Sequence, residues 1–242
     1  MQSLAKKLAN PVSDMVSIPF QFNWENGVGP DDGLKNVLNI QPVVPISLSP
    51  TLNLIARWIL PYVAQPASLG ASSGFSDVTF SAFLSPAGGA SLTWGIGPVF
   101  GLPMTSDSTL GSGRWSAGPT GVVLRIQGPW VYGILANQLW SFAQTSNVDR
   151  ADVNQTFLQP FVGYCTPGGV TYTLMSESAA NWEADDDDTW TVPINFLVSK
   201  ITKFGPLPFS VQGGAGIYVV APDGGPEWRV RMNFAVILPR KP

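Results

Sequence analysis

Polar and apolar side chains alternate, residue by residue, in twelve stretches of this chain, and the connections between the stretches are by turns short and long. The pattern is clearest in Ile18-Pro19-Phe20-Gln21-Phe22-Asn23-Trp24 and in Trp228-Arg229-Val230-Arg231-Met232-Asn233-Phe234. A period of two sends successive side chains to opposite faces of a β-strand. One face then carries Trp, Phe, Ile and Val, and the other Asn, Gln, Glu and Arg. With the apolar face outward, this is a soluble barrel turned inside out, a closed barrel in lipid around a polar lumen.

Composition supports that orientation. Of 242 residues 45% are hydrophobic and only 12% charged, against roughly 25% charged in an ordinary soluble domain. A greasy helix does not account for the deficit. The uncharged run from Val78 to Ser106 is interrupted by Pro86, Gly88, Gly89, Gly95, Gly97, Pro98, Gly101 and Pro103, whereas a membrane helix needs about 20 mainly apolar residues. Only helices and closed barrels satisfy their backbone polar groups within a bilayer. The net charge of −3, with no basic stripe, gives no support to nucleic-acid binding. Cys165 is the single cysteine and has no partner for an intramolecular disulfide.

Strands are expected at 17–26, 35–47, 51–63, 74–85, 90–103, 114–126, 129–143, 153–165, 169–183, 189–202, 207–220 and 227–238. The short connections are Ser49-Pro50, Pro86-Ala87-Gly88-Gly89, Gly128, Thr166-Pro167-Gly168 and Phe204-Gly205-Pro206. The longer ones run from Gly27 to Gly33, Gln65 to Ser73, Met104 to Gly113, Gln144 to Asp152, Ala184 to Asp188 and Ala221 to Pro226. Antiparallel hairpins with tight turns on one rim and loops on the other produce this alternation, and an even strand count puts both termini on the tight-turn rim. Trp24, Trp140, Trp182, Trp190 and Trp228 fall beside the long loops, and Trp94, Trp130, Tyr164 and Tyr172 beside the short turns. That is the distribution of two interfacial aromatic belts. Pro42, Pro61, Pro98, Pro119, Pro160 and Pro193 lie inside expected strands, where each removes a ladder donor; bulges are the expected consequence. Residues 1–16 precede the barrel, and Leu4-Ala5-Lys6-Lys7-Leu8-Ala9 has the makings of one or two helical turns, lying as a lumenal plug, along the periplasmic surface, or frayed. No signal peptide is visible here, so Met1 is expected to stand where a leader was removed.

Strand parity turns one set of side chains into the lumen. The first two strands contribute Gln21, Asn23, Glu25, Asn39 and Gln41, and the next two Arg57, Asp77 and Thr79. Asn137, Gln155, Gln159, Glu177 and Glu183 follow, then Asn195, Gln212, Arg229 and Arg231. A charge facing lipid near mid-membrane costs about 2–4 kcal/mol for Arg or Lys, so inward placement is expected whatever the function. Ion pairs are expected between Arg57 and Asp77, and between Arg229 or Arg231 and Glu25 or Glu177. These either brace the barrel or line a selective constriction.

Little in the sequence suggests catalysis. The chain has no histidine, which removes Ser–His–Asp and Cys–His sites, His-based zinc sites and the usual general base. It also disfavours a barrel phospholipase or lipid A deacylase built on a Ser–His pair. Glu177 and Glu183 stand about 20 Å apart on an extended strand and cannot flank one bond. The acidic run Asp185 to Asp188, with Glu183, reads as a solvated loop tip, with weak divalent-cation binding the lesser reading, because it lacks the turn-forming glycine of a calcium loop. No catalytic residue, cofactor or metal is assigned.

Several motifs occur in a characteristic order: Leu8-Ala9-Asn10-Pro11, Ser17-Ile18-Pro19-Phe20-Gln21, and Asn39-Ile40-Gln41-Pro42-Val43-Val44-Pro45-Ile46. Further along come Gly97-Pro98-Val99-Phe100, Gly118-Pro119-Thr120, Arg150-Ala151-Asp152-Val153-Asn154, Thr191-Val192-Pro193-Ile194-Asn195 and Pro222-Asp223-Gly224-Gly225-Pro226-Glu227-Trp228. Through nearly its whole length the chain resembles the bacterial outer-membrane transporter family named for the meta (MetA) pathway of phenol degradation, also labelled, misleadingly, neuromedin U. The resemblance implies an outer-membrane barrel of a Gram-negative bacterium and tilts the solute toward small aromatic or apolar compounds. One departure is the C-terminus, Leu238-Pro239-Arg240-Lys241-Pro242, where such barrels usually end on an aromatic residue.

The expected molecule is all-β, a 12-stranded antiparallel transmembrane β-barrel of the outer membrane. It spans residues 17–238, between an N-terminal periplasmic segment, 1–16, and a tail, 239–242. The expected function is a channel for passive diffusion of small solutes, not an enzyme. A non-conducting structural or binding barrel with a filled lumen is the alternative, and an outer-membrane enzyme the more remote one. Its partners would be the lipid bilayer, lipopolysaccharide and a small-molecule solute, with the monomer favoured.

Overall fold

In the computed structural model, which describes residues 2–13, 15–88, 91–145, 150–204 and 207–238, the alternating stretches are strands. They are β1 (Val16–Val28), β2 (in two segments, Gly33–Ile40 and Val43–Ser49), β3 (Leu52–Ala64) and β4 (Ser73–Phe75 and Val78–Pro86). β5 (Leu92–Leu102), β6 (Arg114–Gln127), β7 (Trp130–Gln144) and β8 (Asn154–Cys165) follow. β9 (Val170–Ser176 and Ser178–Asn181), β10 (Trp190–Phe204), β11 (Leu207–Val220) and β12 (Trp228–Leu238) complete the set. Each pairs antiparallel with its neighbour, and β12 returns to β1 over Val16↔Leu238 to Asn26↔Trp228. The sheet is thus a closed twelve-stranded barrel, with no open edge. One helix, α1 (Gln2–Leu8), precedes it. No helix among the described residues is long and apolar enough to cross a membrane.

The two faces differ as the alternation requires. Outward side chains are large, apolar and solvent-accessible: Phe196 is 55% exposed, Ile217 59% and Phe142 66%. Inward ones are enclosed: Ile55, Phe83 and Val99 have no exposed surface. Outward aromatics form belts near both rims. Trp130 stacks edge-on against Tyr164 at 4.9 Å beside the short turns, and Trp182 against Trp190 at 5.9 Å beside the long loops. Trp182 lies in the turn after β9 rather than within the strand, and its indole N–H reaches back to Thr156 Oγ1 at 2.8 Å.

The internal prolines divide into two groups. Three stand at interruptions of the ladder. Pro42 separates the segments of β2, where Gln41 N–H donates to Pro19 O (2.9 Å) and Trp58 N–H to Pro42 O (3.0 Å), which holds the register across the gap. Opposite Leu60 and Pro61, β4 places three residues, Ser76 to Val78, a bulge in its second segment's approach. Pro193 shifts β10 against β11, so that Val219 is the extra residue. It also lies across from the break in β9 at Glu177. The other three cause no such shift. Pro98 faces Pro119 in register, and Pro160 faces Ile134. The expectation of bulges therefore holds at Pro61 and Pro193 and not at the other four, Pro42 included, because a missing N–H is costless where the ladder does not call on it. Curvature has a second source in inward glycines. A Cβ at Gly97 would lie 1.8 Å from Ala82 O, and one at Gly214 2.1 Å from Phe196 O. These are corners where only glycine lets neighbouring backbones close together.

Parts of the short connections at 86–89 and 204–206, part of the loop at 144–152 and the tail 239–242 fall outside the described residues.

Candidate functional site in the barrel lumen

The lumen is built in two halves. Toward the short turns an apolar packing fills part of it. Ala5 of α1 packs with Leu124, Val131, Cys165 and Ile201, flanked by Leu4 and Leu8. Above them Val12 joins Val43, Ile55, Phe83, Val122 and Leu135. Gln2 Nε2 donates to Cys165 O at 2.7 Å, which ties the start of α1 to the end of β8. A polar lumen was the expectation; at this end the strands instead turn apolar inward side chains toward the N-terminal segment, which covers them.

A cavity of about 590 Å³ runs beside this packing, reaching Ser17, Ile201 and Ser210 near the short turns, and toward the long loops its lining becomes polar and charged. Its central feature is an ion-pair cluster. Glu177 receives a two-pronged contact from Arg231, Nη1 to Oε1 at 3.0 Å and Nη2 to Oε2 at 2.6 Å. Arg229 Nη2 reaches the same Oε2 at 2.5 Å. Arg229 Nε donates to Asn195 Oδ1 (2.7 Å), and its guanidinium lies 5.6 Å from the Tyr218 ring centre. Tyr218 O–H donates to Glu25 Oε1 at 2.8 Å, while Arg229 and Lys35 both stand 3.8 Å from Glu25. Charge-assisted and forked contacts of this kind are the stronger hydrogen bonds in proteins. The break in β9 at Glu177 is where the carboxylate enters the lumen between two arginines of β12.

A ladder of amides runs along the wall away from this cluster. Arg231 Nε donates to Asn23 Oδ1 (2.7 Å), and Gln21 Nε2 donates to the same oxygen at 3.4 Å. Gln41 Nε2 donates to Gln21 Oε1 (3.2 Å), and Arg57 Nη2 to Gln41 Oε1 (3.1 Å). An arginine stands at each end, donating inward.

Of the side chains that parity turns inward, Glu25, Asn39, Gln41, Arg57, Asn137 and Gln155 line this cavity. So do Gln159, Glu177, Gln212, Arg229 and Arg231. Asn195 is buried behind Arg229, with Nδ2 donating to Met175 O at 3.2 Å. Two residues are placed otherwise. Asp77 is not the partner of Arg57: its Oδ2 accepts from the Ser112 backbone N–H and hydroxyl, both at 2.6 Å, in a separate cavity of about 420 Å³ beneath the loop 104–113. That loop folds inward over β4, which strand parity does not register. Glu183 is not in the lumen, because β9 ends at Asn181 and Glu183 sits exposed in the following turn, its N–H on Asn181 Oδ1 at 3.3 Å. Tyr218 belongs to the cluster but was not among the expected residues; it shares the parity of Gln212, the signal that finds it. Among the described residues no group of three or more His, Cys, Asp or Glu is placed to hold a metal ion.

Fold and lumen together define a closed twelve-stranded barrel of the outer-membrane class. The chain is similar to an outer-membrane channel of Pseudomonas putida F1, with 19% identity, a TM-score of 0.69, and 95% of this chain and 97% of that one covered. It is also similar to the outer-membrane phospholipase A of Escherichia coli, with 14% identity, a TM-score of 0.52 and coverage of 97% and 98%. At such identities the likeness is one of fold. No protein-family model matches the sequence, and no curated protein matches it.

Proposed function

We propose that this chain is a channel of the bacterial outer membrane, through which small solutes diffuse passively. The observation that carries the reading is the cavity of about 590 Å³ inside the barrel, which extends from near the short turns to the charged cluster toward the long loops. An apolar exterior bounded by aromatic belts suits a bilayer, with the long loops facing outward and the termini on the periplasmic rim. The lining mixes amides and arginines with Ile59, Leu139, Phe157 and Met175. That supports small, partly apolar compounds, aromatic ones among them, as the solutes. The motif order in the sequence supports placement in the family named for phenol degradation.

A second reading, the non-conducting barrel, is favoured by one feature. Residues 4–12 cover the apolar half of the lumen and form the floor of the cavity. In the channel reading this segment is the plug that narrows the path. Enzymatic activity has less support: the fold is shared with a phospholipase, but without a histidine this chain has no means to build a Ser–His nucleophile.

The test is single-channel current across planar bilayers, for the whole chain and for a variant lacking residues 2–13, with insertion checked by heat-modifiable gel mobility. Discrete current steps, larger in the shortened variant, are expected. Silence from both inserted proteins overturns the channel reading.

A further inference from the structure

Charge is not balanced in the cavity. Among the described residues that line it, Arg57, Arg229 and Arg231 stand against Glu25 and Glu177, and Lys35, 3.8 Å from Glu25, adds a further cation. Arg229 and Arg231 are both engaged by Glu177. Glu177 also attracts Arg57 at longer range, but its direct contacts go to the other two arginines, so one carboxylate serves three guanidiniums and the excess falls on Arg57. Its cross-strand neighbours are Val43 on one side and Ser81 on the other, and the same face of its strand continues into Ile55 and Ile59. None is acidic. Asp77, the nearest acidic residue along the adjoining strand, is held by Ser112 in the other cavity. The Arg57 guanidinium donates to a neutral oxygen, Gln41 Oε1. A guanidinium offers five N–H donors in a planar fork whose shape matches a carboxylate.

We propose that Arg57 is the binding residue for a small organic carboxylate in the lumen, with the body of the solute on the adjoining apolar lining. The proposal rests on the channel reading only for its biological sense, since binding is measurable without transport. Position favours it. Arg57 stands where the lumen changes character, with Ile55 buried in the apolar packing below and the amides of Gln41 and Gln21 alongside. A carboxylate there would neutralise the surplus charge and meet donors already oriented, while a short aromatic or aliphatic body would meet Ile59. A simple cation would meet the same surplus as repulsion. The solute class is therefore an anion with one apolar end, rather than an apolar compound as such.

The experiment uses the full chain in detergent, with benzoate and its neutral isostere benzamide as probes, titrated calorimetrically. Saturable benzoate binding is expected, weaker by roughly tenfold to a hundredfold for benzamide and for Arg57→Gln, the loss of a charge-assisted contact. Arg57→Lys, which keeps the charge and loses the fork, is expected to fall between. Equal affinity for the two probes overturns the proposal on the wild-type protein alone, whether or not a variant folds. Unchanged benzoate binding in a heat-modifiable Arg57→Gln barrel also overturns it. Bilayer currents separate the two readings: benzoate binding with a silent bilayer removes the channel and keeps the site, whereas conduction without discrimination between the probes removes the site and keeps the channel.

Discussion

Glu177→Gln keeps the shape of the side chain and removes the charge that Arg229 and Arg231 share. Two guanidiniums would then face one neutral oxygen, and breaking a buried pair costs about 3 kcal/mol or more. The expected result is a lower midpoint in the heat-modifiable gel shift and in denaturant unfolding. A variant as stable as wild type would mean that water in the lumen already screens the arginines. A milder electrostatic effect belongs to Asp107, outside the barrel wall. The Thr109 backbone N–H, and then its hydroxyl, both donate to Asp107 Oδ1 at 2.8 Å and hold the carboxyl below its ordinary value. A depressed folded-state pKa gives a contribution that is present above the unfolded value and is lost as pH falls through the folded one. The Thr109 amide resonance should therefore titrate with a midpoint below that of a free aspartate side chain; a midpoint at or above it refutes the assignment. Legibility at this level followed locality. Parity turned Arg229 and Arg231 inward from within β12, and Glu177 inward because the one-residue break in β9 keeps the alternation of Met175 and Ala179. It misplaced Glu183, because the strand ends two residues sooner than the alternation, and it mispaired Asp77, whose partner arrives from a loop thirty-five residues away.

The loop 104–113 and the helix α1 are the two elements whose positions strand alternation does not encode. The loop is tied to β4 by Ser112 on Asp77, by Phe75 N–H on Ser106 Oγ at 2.8 Å, and by Ser106 N–H on Phe75 O at 2.9 Å. Arg150 clamps its far side, Nη1 donating to Ser108 O and Gly111 O at 2.8 and 2.7 Å. Ser112→Ala removes one charge-assisted donor and should destabilise the loop locally by about 1.5 kcal/mol. In amide exchange, loop protection should fall roughly tenfold, with the barrel strands unaffected. Uniform change over the whole barrel would mean that the loop and wall unfold as one unit. For α1 the sequence holds a short amphipathic segment with three plausible resting places, and the choice among them depends on an apolar lumenal surface assembled from β6, β7, β8 and β10. No local pattern contains that surface. The prolines illustrate the same limit: their positions can be read directly, but whether each breaks the ladder depends on which edge of the neighbouring strand it meets.

The molecule as a whole was the most legible part, since twelve alternations joined by six long and five short connections in strict turn leave a closed barrel as the consistent arrangement. Its exterior makes a direct prediction. Phe196 projects outward from the middle of β10, so Phe196→Arg should cost about 2–4 kcal/mol of folding stability in bilayers, with less effect near either rim. Measurement by denaturant titration in liposomes would check it, and a neutral outcome would place this face outside the hydrocarbon.

The seam between β1 and β12 carries a consequence for biogenesis. Arg231 and Asn23 meet there across 208 residues of sequence, and Arg229 comes within 3.8 Å of Glu25 across the same join. Contacts so distant in sequence are among the slowest to form, so the last stitch of the cylinder brings the arginines of one chain end to the amide and carboxylate of the other. The helix ahead of β1 leads into the lumen from the rim where this seam begins, so closing the wall and seating its filling engage the same end of the chain.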